Sequence, residues 1–158
     1  MQITKIKIGG AALNQTPLDW RGNQTRILQA ITHAQQENVA ILCLPELCVS
    51  GYGCEDAFHA EGVSEMAFQM LCEIIPHTKN IAVAIGLPIY VNQVVYDAIA
   101  WVCDCHLQGL VAKQFLAGQD LYYETRWFKP WPRQKIQQFT YQEHNIPLGD
   151  LIFDVGGV

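Results

Sequence analysis

Charge is scarce in this sequence: only 16% of its 158 residues are charged, and neither sign forms a run. Ten scattered Lys and Arg face fifteen Asp and Glu, for a net charge of −5. Such a chain presents no basic footprint for nucleic acid or for an anionic membrane. Long apolar runs are also lacking. No stretch approaches the roughly 18 residues of a spanning helix, and the opening MQITKIKIGGAALNQ alternates in character, unlike the apolar region of a signal peptide. There is no Gly/Ser linker, no low-complexity segment, no internal repeat and no phosphate-binding loop of the P-loop type. What is present is apolar by half, enough for one domain with a core. Small-molecule chemistry or protein partners are therefore expected. The six cysteines (Cys43, Cys48, Cys54, Cys72, Cys103, Cys105) sit mostly in apolar segments. With no export signal, reduced thiols and a cytoplasmic location are expected.

Local patterns predict an α/β order. Residues 3–13 read as a first strand and 14–22 as a loop rich in Asn, Pro and Asp. Asn23 is placed to cap a helix running to Glu37, with Ile27, Leu28, Ile31 and Ala34 on one face and Asn38 closing it in the left-handed conformation. VAILCL (39–44) is a continuous apolar run, the mark of a strand covered on both faces. Pro45 ends it and a long loop follows to residue 62. Ser64 is placed to cap a second helix ending before Pro76, on which Met66 and Met70 read as core. Residues 81–88, 94–103 and 110–115 read as further strands, with Gly109 as the turn residue between the last two. The stretch 136–147 reads as irregular and solvated, and Leu151–Val155 as the start of another strand. Strand–helix–strand–helix–strand followed by hairpins predicts a layered α/β domain.

Two segments carry chemistry. In LCLPELCVSGYGCEDAF (42–58), Glu46 directly follows a buried strand, at the sheet edge where α/β folds place active sites. Shielding by the loop would raise its pKa toward that of a working base; the plainer reading is a helix cap or an exposed acid. In GLVAKQFLAGQDLYYETRWF (109–128), Lys113 ends an apolar strand and points an ammonium toward the same edge, where it could stabilise an oxyanion or lower a thiol pKa. Taken alone, its plainer reading is a side chain extended to solvent. Glu124 could orient Lys113, and Glu124, Arg126 and Phe128 alternate in a way that could form a local ion pair.

Together, SGYG after LPEL and the K-x8-Y-x-E-x-R-x-F pattern from Lys113 resemble the nitrilase, or carbon–nitrogen hydrolase, superfamily. LNQTPLDWRGNQTRIL, GYGCEDAF, ETRWFKPW and IPLGD, in this order, are similar to the glutaminase domain of glutamine-dependent NAD synthetases across nearly all 158 residues. The resemblance implies a four-layer α-β-β-α sandwich, two sheets between helical layers, of which residues 1–158 form a part incomplete at its C-terminal side. It implies a Glu–Lys–Cys triad in which Glu46 is the general base, Lys113 the oxyanion-stabilising lysine and Glu124 the second glutamate that positions them. Tyr52 matches a glutamine-contacting position, and Gln119 lies where such enzymes line the pocket. L-Glutamine is the implied substrate. A C-terminal synthetase domain, absent here, is the implied partner and the user of ATP and Mg; the glutaminase half needs no metal or organic cofactor. Full-length relatives are expected to form homo-oligomers.

The implied nucleophilic cysteine follows a strand after the Gly149–Asp150 pair, and none of the six cysteines holds that position. Cys48 and Cys54 share the Glu46 loop but read as packing residues, so the 158-residue piece is expected to be inactive alone. A stand-alone nitrilase-type amidase is the alternative on the enzyme side. A metal-binding module built on Cys103, Cys105 and His106 is the alternative outside enzymology, although no second ligand pair lies at a zinc-like interval.

Overall fold

The computed structural model describes residues 5–119 and 122–155. One seven-stranded sheet runs through them, in the order β1-β2-β3-β4-β5-β7-β6. β1 (Ile8–Gly10), β2 (Ile41–Cys43) and β3 (Ala82–Val91) are parallel to one another, joined by α1 (Trp20–Gln36) and α2 (Glu61–Ile74). β4 (Val94–Cys103) returns antiparallel along all of β3, and β5 (His106–Ala112) returns again along β4. β7 (His144–Gly149) adds parallel to β5, and β6 (Ile136–Tyr141) pairs with β7 at the outer edge. A short helix, α3 (Glu124–Trp127), lies between β5 and β6.

Alternation along the strands decides what faces what. Val83, Ile85 and Leu87 of β3 and Ala98, Ala100 and Val102 of β4 point to one face and pack with Ile27, Ile31, Leu71 and Ile74 of the helices. On the other face the apolar side chains of Ile8, Ile99 and Ile136 stay open, at 62%, 42% and 58% exposure. The expected α/β class is present, with the strand–helix–strand–helix–strand sequence followed by a hairpin. Of the four expected layers, the described residues build one helical layer and one sheet. Among them no helix is long and apolar enough to cross a membrane.

Several local expectations are corrected. α1 starts at Trp20, capped by the Asp19 carboxylate, which accepts from the Gly22 N–H at 3.0 Å. Asn23 is fully buried and ties loops together: its Nδ2 donates to the carbonyls of Thr16 and Val49, while its Oδ1 accepts from Thr16 N–H. α2 starts at Glu61, so Ser64 is a buried helical residue and not its cap. The turn between β4 and β5 is Asp104–Cys105, both at positive φ (46° and 64°), as a two-residue hairpin loop of this hand requires. Gly109 instead sits within β5, where a Cβ would come 2.8 Å from Leu151 and 3.2 Å from Phe153. The bare glycine lets residues 151–155 lie across the sheet, with Phe153 stacked on Trp101, rather than forming the expected strand. Residues 136–147 form the β6–β7 hairpin; an edge hairpin with one wet face has a polar composition that reads as loop. The first strand is confined to Ile8–Gly10 among the described residues, residues 3 and 4 of the expected strand lying outside them.

Candidate active site

Because β1, β2 and β3 are parallel and β4 reverses, the C-terminal ends of β2, β3 and β5 share an edge with the start of β4. Glu46, Lys113 and Asp97 meet there. After β2 the chain turns back over β3: Leu44 N–H donates to Ala84 O at 3.0 Å and Val49 N–H to Gly86 O at 3.1 Å. The crossing is so close that a Cβ on Gly86 would lie 2.5 Å from Leu47 N, 2.6 Å from Pro45 O and 2.9 Å from the Glu46 carbonyl carbon. Gly86 thus sets where Glu46 sits. Lys113 is held on both sides of its peptide, donating to Asp97 O at 2.9 Å and accepting from Trp131 N–H at 2.8 Å.

Glu124, the first residue of α3, is 1% exposed and fully engaged. Its Oε1 accepts from the Tyr52 hydroxyl at 2.9 Å; its Oε2 accepts from Ala117 N–H at 2.7 Å and from Lys113 Nζ at 2.8 Å. The same Nζ donates to Glu46 Oε1 and lies 3.6 Å from Asp97 Oδ2. One ammonium therefore sits among three carboxylates whose oxygens lie within 4.8 Å of one another. By donor type these acids could hold a divalent cation, but Lys113 already occupies their centre, and an ion would have to displace it. Cys103, Cys105 and His106 form no convergent donor set among the described residues; the Cys105 thiol instead reaches the Pro76 carbonyl.

The charges follow from these contacts. Burial works against ionised Glu46, but hydrogen bonds from Asp97 and Lys113 outweigh it and hold its carboxyl below the usual range. The expected upward shift is thereby corrected: Glu46 is a carboxylate at neutral pH, ready to accept a proton. Burial likewise works against charged Lys113, and the hydrogen bonds to Glu124 and Glu46 with the field of Asp97 overcome it, raising its pKa. Lys113 is a fixed positive charge, suited to stabilising an oxyanion rather than to moving protons. Burial and the bond to Glu124 raise the Tyr52 phenol, so it stays a neutral donor. Beside this cluster a cavity of about 250 Å³ opens on the uncovered sheet face, lined by Leu44, Glu46, Asp97, Ala98, Ile99, Val111 and Lys113.

The loop of Tyr52 is fastened to α3 as one unit. Asp56 accepts from Nε and Nη2 of Arg126, at 2.6 and 2.7 Å, and from the Trp127 indole N–H at 3.1 Å. Phe58 packs on Phe128 with centroids 4.8 Å apart. Arg126 therefore pairs with Asp56 and not with Glu124. Gln119 is exposed, with its carbonyl accepting from Tyr122 N–H. No cysteine lines the cavity. Cys48 is buried beneath the loop, its Sγ 3.6 Å from Gly86 O, and burial pushes its thiol up to about 12. Cys54 is buried with its Sγ toward the Ser50 and Gly51 carbonyls, and burial raises it too. Neither is a ready thiolate. Two functional residues escaped the sequence reading, Asp97 and Gly86. A lone acid inside the ten-residue apolar strand VVYDAIAWVC was the available signal, since a buried charge needs partners.

Comparison with known proteins identifies a family and a fold. The sequence model of the family described as Carbon-nitrogen hydrolase matches residues 7–154. The glutamine-dependent NAD(+) synthetase of Homo sapiens is 32% identical over 160 residues, covering 94% of this chain and 22% of the human protein. The enzyme of that name from Saccharomyces cerevisiae is 31% identical, with 94% and 22% covered. A crystal structure of a glutamine-dependent NAD(+) synthetase from Cytophaga hutchinsonii superposes with a TM-score of 0.93 at 45% identity, covering 96% of this chain and 26% of that one. An amidase of Nesterenkonia sp. AN1 shares the fold at TM-score 0.68 and 19% identity, over 91% of this chain and 55% of the amidase. The chain thus spans about a fifth to a quarter of the synthetases it matches.

Proposed function

The chain belongs to the carbon–nitrogen hydrolase family, and from that premise we propose that it supplies the base and the oxyanion-binding ammonium for hydrolysis of the glutamine side-chain amide in a longer glutamine-dependent NAD synthetase. One observation carries the reading: Lys113 Nζ is clamped between Glu46 and Glu124 beside a cavity. That is the charge pattern amide cleavage by a thiol needs, an ionised base next to a cation aimed at a developing oxyanion.

In the proposed reaction, Glu46 takes the proton of a cysteine thiol as its sulfur attacks the amide carbon. Lys113 stabilises the resulting oxyanion. The C–N bond then breaks as Glu46 returns the proton to nitrogen, and ammonia leaves. Water adds to the thioester, giving its proton to Glu46, and glutamate departs with the thiol restored. Glu124 holds Lys113 in place, while Tyr52 and Gln119 contact the substrate. The thiol comes from residues outside these 158: no cysteine lines the cavity, and burial raises the two that share the Glu46 loop, Cys48 and Cys54. Ammonia passes to a synthetase domain that uses ATP and Mg²⁺ to amidate nicotinic acid adenine dinucleotide. No metal or organic cofactor takes part in the glutaminase step. The complete enzyme is a cytoplasmic homo-oligomer.

The test is a split of activities in the longer enzyme. Glu46→Ala and Lys113→Ala should each abolish glutamine-dependent NAD formation and leave ammonia-dependent formation near the parent rate. Retention of the glutamine-dependent rate in either variant would overturn the assignment.

A further inference from the structure

Three acids share one ammonium. Glu46, Asp97 and Glu124 converge to within 4.8 Å, and among the described residues Lys113 is the one cation placed between them, because Arg126 is committed to Asp56. Were all four ionised, two negative charges would stand uncompensated where Asp97 and Glu124 are only 3% and 1% exposed. Like charges at this spacing do not all ionise; one proton is retained.

The contacts indicate which acid keeps it. Glu124 has both oxygens filled by donors: Tyr52, Ala117 and Lys113. Glu46 is in direct contact with Lys113 and is the most exposed of the three, its side chain at 40%. Asp97 has no such support. Its Oδ2 is 3.6 Å from Lys113 Nζ, beyond hydrogen-bond length. A carboxyl oxygen of Asp97 lies within 4.8 Å of one of Glu46, and two carboxyl groups that converge in this way can hydrogen-bond only if one carries a proton. Facing Asp97 are Glu46 from the β2 loop, Lys113 from the end of β5 and Glu124 from α3, with Tyr52 reaching the group through Glu124.

We propose that Asp97 is the proton-holding positioning residue of this site: its neutral carboxyl group donates to the Glu46 carboxylate and fixes that base against Lys113. The burial of Asp97 and the nearby Glu46 charge act in this direction, raising it to about 9. The cluster then carries one excess negative charge in place of two. Glu46 keeps a donor and stays ionised until it takes up the reacting proton, a role that rests on reading it as the base.

The test needs no turnover, so its outcome is separate from that of the amidase reading. In ¹³C-carboxyl-labelled 158-residue chain, the Asp97 resonance, identified by its loss in Asp97→Asn, should report a protonated carboxyl at pH 7 that ionises near pH 9. Glu46 should titrate below its ordinary range in the parent and in Asp97→Asn, where the amide still donates, and at higher pH in Asp97→Ala. Reversible urea unfolding supplies the second readout. The unfolded chain releases the Asp97 proton above pH ~4 and the folded chain keeps it, so the ratio of parent to Asp97→Asn folding constants should fall about tenfold per pH unit between pH 5 and 8. An ionised Asp97 at pH 7, or a flat ratio, overturns the proposal. Both of those readouts stand even if Asp97→Ala fails to fold.

Discussion

Replacing Glu124 separates two things its carboxylate does, accepting hydrogen bonds and balancing Lys113. Glutamine at this position can still serve every neighbour: its carbonyl accepts from Ala117 N–H and Lys113, and its NH₂ donates to the Tyr52 oxygen, which accepts once the phenolic hydrogen rotates away. What Glu124→Gln removes is the charge in a hydrogen bond of 2.8 Å at a side chain 2% exposed, opposite an ammonium 28% exposed. Hydrogen bonds to charged groups are worth about 1.5–3 kcal/mol. Glu124→Ala removes all three acceptor contacts and takes from Lys113 its buried hydrogen-bonded partner, leaving Glu46 and the more distant Asp97; breaking a buried pair in this way costs about 3–5 kcal/mol. For a chain of this size each kcal/mol moves the melting midpoint by about 2–4 °C. Glu124→Gln should then melt about 3–12 °C below the parent and Glu124→Ala about 6–20 °C below, the glutamine variant always the higher of the two. Circular dichroism melts at pH 7 give both numbers. A Glu124→Ala midpoint within about 2 °C of the parent would show that the carboxylate anchors nothing, and the account of Lys113 positioning would fail with it.

Gly86→Ala pushes a methyl group into the Pro45–Leu47 backbone; overpacking of this kind costs about 1–3 kcal/mol, read as a lower urea midpoint, and it should displace Glu46, read as a changed Lys113 ¹⁵Nζ shift. Beyond the fall through neutral pH that the Asp97 proton brings, stability should fall at both pH extremes for different reasons. Glu46 lies below its unfolded value, so its contribution is present above pH ~4.3 and is lost as pH falls through the folded pKa. Lys113 lies above its unfolded value, so its contribution is complete below pH ~10.4 and is lost as pH rises through the folded pKa. Unfolding midpoints across pH should lose the acid limb in Glu46→Gln and the alkaline limb in Lys113→Met. Millimolar Mg²⁺ or Mn²⁺ should leave the parent melting midpoint unchanged, because the centre of the acid cluster is taken; a concentration-dependent rise would show an ion replacing Lys113.

Residues that follow a strand were the legible ones. Glu46 and Lys113 each come directly after an apolar run, and that position taken with the motifs around them put them at one sheet edge, where the structure joins them. Glu124 was legible through its motif, and its orientation of Lys113 is direct. Asp97 was not, because strand alternation says which face a residue takes and nothing about what waits there. The sign of the Glu46 shift went the same way: shielding was readable from the loop, but Asp97 and Lys113, distant in sequence, decide it. The pairing of Asp56 with Arg126 and Trp127 spans about seventy positions, beyond any local pattern, yet it explains why GYGCEDAF and ETRWF occur together. They are two halves of one clamp. Helix starts were misplaced by four residues where a capping residue type stood nearby but the carboxylate of Asp19 or the plain backbone of Ala60 did the work.

The most direct test uses an electrophilic glutamine analogue on the longer enzyme, followed by peptide mass spectrometry. The account predicts covalent label on one cysteine outside residues 1–158, formed far more slowly in Lys113→Ala and Glu46→Ala, and no label on the isolated 158-residue chain. Label on Cys48 or Cys54, or a labelling rate indifferent to Glu46 and Lys113, would contradict it.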